Sequence, residues 1–327
     1  MTQVRHDIDD MLQAAWLYHV GQMSQQEVSR RLGISRFKVL RLLADARDQG
    51  LVRVSLEHET LTTLRLAQRL TDVFALTEVQ VAPIPGGIVD DAFARRAVGI
   101  VAAGFLSRIG RTDGPLTIGL GWGRTLAAMA AGLTGLRNPH LQFVSLMGSM
   151  SRTAQTSPFD VCVRLAALTH GTAVFLPAPF LTDTEADCQV ILGQRLVRET
   201  LEVARSAQHA IIGLGACTPD ALLYTSGILT AADVDALRHA GAVADSTGKF
   251  FRADGSLVDT DLNRRAPSIG LDDLHRQDVT LLSAGVAKTD ATLAVLRAGF
   301  VDRLIVDEAL AVAMLAVADT AQHRQTG

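Results

Sequence analysis

At 327 residues the chain exceeds one ordinary hydrophobic core and suits one small and one large domain. Its composition, 48% apolar and 20% charged, is that of a folded globular protein, and a net charge of −3 excludes a protein coated in basic residues along its whole surface. Three widely spaced cysteines (Cys162, Cys188 and Cys217) without a CxxC pair argue for reduced thiols in a cytoplasm instead of a disulfide framework or zinc site, so no metal or cofactor is expected.

Arg5, His6, Asp7, Asp9 and Asp10 stand where a leader would need an apolar run. Met11, Ala14, Ala15 and Tyr18 then recur at helical spacing and predict a helix over 9–20. Residues 24–49 carry more information. A helix over 25–32 stops at Gly33, where a sharp turn asks for positive φ, and a second helix follows Ser35, a good N-cap. Val28 and Leu32 make one apolar face, Ile34 fills the turn, and Val39, Leu42, Leu43 and Ala46 form the facing stripe. Ser29 is small enough for the two helices to approach closely. This is the helix-turn-helix pattern, whose second helix enters the DNA major groove.

Charge agrees with that reading. From Arg30 to Arg53 seven basic residues stand against Asp45 and Asp48, a local surplus of the kind phosphate contact requires. Arg36, Phe37, Lys38 and Arg41 lie off the apolar stripe and are expected to face the groove, where arginine can bond guanine bidentately. Ser35, Gln25 and Gln26 complete the expected DNA-binding set, the glutamines placed for phosphate. Gly50 is expected to cap the second helix, and the alternating LVRVSL of 51–56 reads as a wing strand. The expected domains are 1–58 for DNA binding and 59–327 for effector binding and oligomerisation.

Gly86-Gly87, after Pro83 and Pro85, punctuates the chain before a regular rhythm begins. Strands are predicted over 116–120, 143–147, 172–175, 210–214, 279–283 and 303–306, and helices over 90–109, from 125, and over 159–169, 195–204 and 290–297. Alternation of this kind implies an α/β fold with a doubly wound, mostly parallel sheet, whose strand ends converge on one crevice. The loop Gly119-Leu-Gly-Trp-Gly-Arg-Thr125 joins a strand to a helix. Gly119, Gly121 and Gly123 free the backbone to approach a ligand, Arg124 and Thr125 open the helix, and Trp122 offers a flat face to a sugar. The spacing is GxGxG, without the third glycine or acidic residue of a dinucleotide loop and without a Walker lysine. Gly148 and Ser149, Asp245 and Lys288 follow other strands. Asp245 suits sugar hydroxyls or a turn, and Lys288 suits a phosphate or open solvent. The chain has only three lysines, Lys38, Lys249 and Lys288, and all lie in these segments. Asp307 and Glu308 read as charges at the start of the last helix. The apolar run over 126–133 is expected to leave surface for subunit contact, while 309–318 is too short to span a bilayer. Neither GxSxG nor HExxH occurs, so no catalytic set emerges.

Four stretches carry a family resemblance: MSQQEVSRRLGISRFKVLRLLADARDQGLVRV from Met23, GLGWGRTL from Gly119, VADSTGKFFRADG from Val243 and AKTDATLAVLRAGFVDRLIVDEALA from Ala287. With weaker similarity between them, as in RLAALTHGTAVFLPAP from Arg164, they resemble the SorC family of sugar-responsive regulators over nearly the whole chain. The resemblance implies a winged helix-turn-helix, an effector domain similar to sugar-phosphate isomerases and CoA transferases, and a dimer or tetramer on palindromic operator DNA. It carries ligand contacts to Gly121, Thr125, Asp245 and Lys288. One departure stands out: family members usually show a Gly-Gly pair before this lysine, whereas Ser283-Ala-Gly-Val-Ala is one residue shorter with a single glycine. The expectation is a cytoplasmic repressor of a carbohydrate or polyol operon, governed by a sugar, polyol or sugar phosphate and without a membrane partner. The alternative is an isomerase-type enzyme with a DNA-binding appendage.

Overall fold

The computed structural model describes residues 2–21, 23–48, 51–52, 61–84, 90–149, 158–218 and 221–326. They fall into two units, Met1–Glu57 and His58–Gly327.

In the first unit, α1 (Thr2–Ala15) starts earlier than its apolar spacing predicts. It runs into one wider turn, Trp16–Val20, closed by a bond from the Gly21 N–H to the Trp16 carbonyl at 2.9 Å. Helix α2 (Gln25–Leu32) has the predicted limits, and α3 (Arg36–Asp48) has the predicted start. Ser24 and Glu27 form a reciprocal capping box, Ser24 Oγ accepting from the Glu27 N–H at 3.3 Å and Glu27 Oε2 accepting from the Ser24 N–H at 2.7 Å. Gly33 ends α2 at φ 65°, and Ser29 Oγ donates to the Ile34 carbonyl at 2.5 Å across the turn. Met11, Ala14, Val28, Val39, Leu42 and Ala46 close a small core, with Leu32 and Ile34 packed at its edge. The predicted wing and the Gly50 cap fall mainly outside the described residues; Leu51 is placed, and its N–H donates to the Ala46 carbonyl at 2.8 Å.

The second unit contains β1 (Glu78–Ala82), β2 (Leu116–Leu120), β3 (Leu141–Ser145), β4 (Thr172–Val174), β5 (His209–Gly213), β6 (Gly215–Ala216), β7 (Ala242–Ser246), β8 (Lys249–Arg252), β9 (Asp278–Ser283) and β10 (Arg303–Asp307). Seven of them pair in parallel in the order β1-β10-β9-β5-β2-β3-β4. The chain runs outward from β2 through β3 to β4, then returns to the other side of β2 with β5 and runs outward through β9 and β10. Strand order therefore reverses between β2 and β5. Strands β6, β7 and β8 form a separate antiparallel sheet.

Side chains alternate between two layers, as strand geometry requires: Val144, Ile212, Leu281 and Val306 face one, Phe143, Ile211, Leu282 and Ile305 the other. The first layer packs beneath α4 (Leu61–Phe74) and the helices Arg195–Arg205, Thr289–Arg297 and Glu308–Thr326. The second packs beneath α5 (Asp91–Ile109), α6 (Arg124–Gly132) and α7 (Pro158–Thr169). Burial on both faces explains the unbroken apolar runs of these strands. Leu126, Met129, Ala130 and Leu133 are all buried in the second layer, so the 126–133 run is core and not subunit surface. Sequence reading missed β1 and the whole antiparallel sheet. Gly86 and Gly87 lie outside the described residues. Among the described residues no helix is long and apolar enough to cross a membrane.

Candidate DNA-binding and effector sites

Helix α3 buries Val39, Leu42, Leu43 and Ala46, which leaves the opposite face open. Phe37 is 84% exposed there, with Arg36, Leu40 and Arg41 also exposed. An aromatic ring so open at a helix start has no folding role. Ser35 caps the helix by accepting from the Lys38 N–H at 3.2 Å. Arg36 Nε reaches Gln25 Oε1 at 3.4 Å, which brings the first turns of α2 and α3 together, and Gln26 is exposed beside them. Lys38 differs from its neighbours. It lies toward α1, where its Nζ pairs with Asp10 at 3.3 Å. Arg36, Phe37 and Arg41 thus share the open face, and Lys38 flanks it.

The second site lies where strand order reverses, the place where open α/β sheets bind ligands. A cavity of about 140 Å³ opens there. That is close to the ~150 Å³ of an engineered apolar cavity that holds benzene, so a ligand of similar bulk fits. From the end of β2 come Gly121, Trp122, Gly123, Arg124 and Thr125, and from the end of β5 come Gly213, Leu214 and Gly215. The β7 end adds Asp245, Ser246 and Thr247, and the turn after β9 adds Lys288. Asp91 and Arg95, one turn apart at the start of α5, and Thr218 also line the cavity.

Each polar group is held differently. Gly123, at φ 132°, opens α6 with a backbone that side chains rarely adopt, and Thr125 in the first turn is buried, its hydroxyl making no hydrogen bond among the described residues. Lys288 Nζ donates to the Leu214 carbonyl at 2.8 Å. Asp245 is 8% exposed, and its carboxylate lies over Gly215, where a Cβ would stand only 2.1 Å from Oδ1. Burial pushes the Asp245 carboxyl up to about 7 against the opposing charge of Lys288. Burial likewise pulls the Lys288 amine down to about 8, with Asp245 opposing and Arg124 and Arg95 adding to the fall. Arg95 is itself lowered, by burial and then by Arg124. A carboxyl and an amine that titrate near neutrality, beside two guanidinium groups without ion-pair partners among the described residues, can bind hydroxyls and anions.

Three predicted contacts lie elsewhere. Gly119 sits inside β2, where a Cβ would come within 2.4 Å of Leu146 Cδ2, so the glycine serves packing. Gly148 and Ser149 do not line the cavity; Met147 does. The Gly148 N–H donates to the Pro267 carbonyl and the Ser149 N–H to the Ala178 carbonyl, both at 2.9 Å, and a Cβ on Gly148 would collide with Pro179. That loop ties the structure together. Lys249 also turns away, its Nζ donating to the Asn263 carbonyl at 2.5 Å. Trp122 lines the cavity with its ring edge-to-face on Phe180, centroids 5.5 Å apart. Gly285, in the shortened turn, has φ 94°, and its N–H donates to Asp307 Oδ2 at 2.7 Å. Asp307 Oδ1 also accepts from the Leu310 N–H at 3.1 Å, so this acid joins two strand ends and caps the last helix. Sequence reading missed Asp91, Arg95 and Thr247. The D-x-x-x-R spacing at a helix start was the available signal for the first two.

A helix-turn-helix unit followed by an α/β unit with a polar cavity at its switch point defines a ligand-responsive transcriptional regulator. The Sugar-bind family model, a sugar-binding domain, matches residues 58–316. The erythritol catabolism regulatory protein EryD of Brucella abortus is 33% identical over 311 residues, 94% of this chain and 98% of that protein. The deoxyribonucleoside regulator of Bacillus subtilis is 26% identical over 93% of this chain and 96% of its own length. The full-length sorbitol operon regulator SorC of Klebsiella pneumoniae has the same fold, with a TM-score of 0.74 at 23% identity over 94% of this chain and 99% of that one. This chain belongs to the SorC family of sugar-binding transcriptional regulators.

Proposed function

We propose that the protein is an operator-binding repressor of a polyol or carbohydrate catabolic operon, and that a small polyhydroxylated effector in the switch-point cavity releases it from DNA. The observation that carries this reading is the Asp245–Lys288 pair in a cavity of about 140 Å³, a carboxylate and an amine placed where a short chain of hydroxyls can bond both. A relative that regulates erythritol catabolism supports a ligand of this size. DNA contact is assigned to Arg36, Phe37 and Arg41 on the open face of α3, with Ser35, Gln25 and Gln26 at the helix starts and Lys38 at the flank. The working form is a homo-oligomer, because one helix-turn-helix reads only a half-site.

The test is release of the full-length protein from its own promoter DNA by four- to six-carbon polyols, sugars and their monophosphates. At least one is expected to release it, and Asp245→Asn is expected to remain bound at the same concentration. Release of both proteins alike would remove Asp245 from the site. The enzymatic reading makes a different demand: the purified protein would convert the releasing compound, detectable by NMR, and Lys288→Met would stop the conversion. We expect the compound to be recovered unchanged.

A further inference from the structure

The β7–β8 hairpin pairs Ser246 with Lys249 and leaves Thr247 and Gly248 as its two central residues. Both have positive φ, 49° and 75°. Two-residue turns of this kind are ordinarily filled by Asn-Gly or Asp-Gly, and a β-branched side chain is among the least suited to the first position. Thr247 is also 3% exposed, and among the described residues its hydroxyl has no hydrogen-bond partner. The residue beside it shows what a satisfied hydroxyl looks like here: Ser246 Oγ donates to the Gly213 carbonyl at 2.8 Å. A strained backbone and an orphaned hydroxyl therefore coincide at one residue, and that residue lines the effector cavity two positions after Asp245. Folding uses neither feature. Such outliers point to function when they gather at a ligand site.

We propose that Thr247 is a specificity-determining residue whose hydroxyl takes its missing partner from a hydroxyl of the bound effector, while its methyl group shapes the cavity wall. The proposal rests on the assignment of this cavity as the effector site. It separates Thr247 from a turn residue, for which asparagine or glycine would serve better.

The experiment uses the full-length protein and its Thr247→Val, Thr247→Asn and Thr247→Gly variants, with erythritol, ribitol, sorbitol and their monophosphates as probes in calorimetry. Thermal melts without ligand are expected to rise by about 2–4 °C for the asparagine and glycine variants, which relieve the backbone. The same variants, and the isosteric valine, are expected to bind the best probe about tenfold more weakly and to discriminate less among the probes. Wild-type affinity and rank order in Thr247→Val and Thr247→Asn would overturn the proposal. If Asp245→Asn loses binding in that case, the cavity remains the effector site and only the role of Thr247 fails. If no probe binds the wild type, or Asp245→Asn also binds normally, the site assignment fails and takes the proposal with it.

Discussion

Asp245 and Lys288 bring opposite charges into a buried space, where desolvation disfavours both. Burial raises the Asp245 carboxyl from 3.8 to about 7, so between those values the native state holds a proton that the unfolded chain has released. Its contribution to stability therefore falls as pH rises from about 4 to about 7. Lys288 is lowered from 10.5 to about 8, so its contribution falls as pH drops from about 10 to about 8. An effector whose hydroxyls donate to the carboxylate favours the ionised form of Asp245, and one that accepts from the amine favours protonated Lys288. Affinity is thus expected to be greatest between about 7 and about 8 and to decline on both sides. Calorimetric titration over a pH series checks this. Asp245→Asn, though weaker throughout, is expected to lose the decline on the acid side. An acid limb that survives in that variant would place the titrating group elsewhere.

Among the elements, α2 and α3 show how little tertiary context a DNA-reading hairpin needs. Ser24, Glu27, Gly33 and Ser35 mark the helix ends through local bonds, so their positions follow from a short stretch of chain. The direction of each side chain does not. Arg41 and Phe37 stand on the open face, whereas Lys38 reaches back to Asp10 on α1. Arg41→Ala is therefore expected to weaken operator binding by about 1–3 kcal/mol, and Phe37→Ala to weaken it measurably. Lys38→Ala should have a smaller effect, since it removes an exposed ion pair worth about 0–1 kcal/mol and a flanking charge. Gel-shift titrations at two salt concentrations, with far-ultraviolet circular dichroism to confirm folding, rank the three. A larger loss for Lys38→Ala than for Arg41→Ala would reverse the assignment of the faces.

For the whole molecule, operator specificity sets the demand. Half-sites lie about one helical turn apart or a multiple of it, so a single reading helix leaves most of the site unread. Light scattering at micromolar concentration is expected to give at least a dimer, with and without operator; a monomer in both would refute it. The apolar stripe of α6 is spent inside the domain and is not expected to supply a subunit contact. A subunit contact is expected to cover exposed apolar residues such as Val190, Leu196 and Val312. Their replacement by aspartate tests that one residue at a time.

Sequence alone determined the elements whose cause is local. The limits of α2 and β2 and the start of α3 followed from caps, a glycine and apolar period, and the parallel sheet followed from alternation of strands and helices. Lys288 and the glycine loop were legible because each follows a strand, and parallel strands bring their ends together, whereas Asp245 lies inside β7 of the antiparallel sheet and not after a parallel strand. Tertiary structure decided the rest. β6 and β8, with two and four residues, carry too few side chains to show a period, so the antiparallel sheet that presents Asp245 was hidden. Gly119, Gly148 and Ser149 have the look of ligand contacts, yet neighbours distant in sequence, Leu146 and Pro179 among them, fix what each one does. Arg95 and Thr247 belong to the cavity only because α5 and the β7–β8 hairpin pack around the end of β2. Periodicity and capping act over a few residues; what a side chain faces is set by chain segments that sequence distance does not reveal.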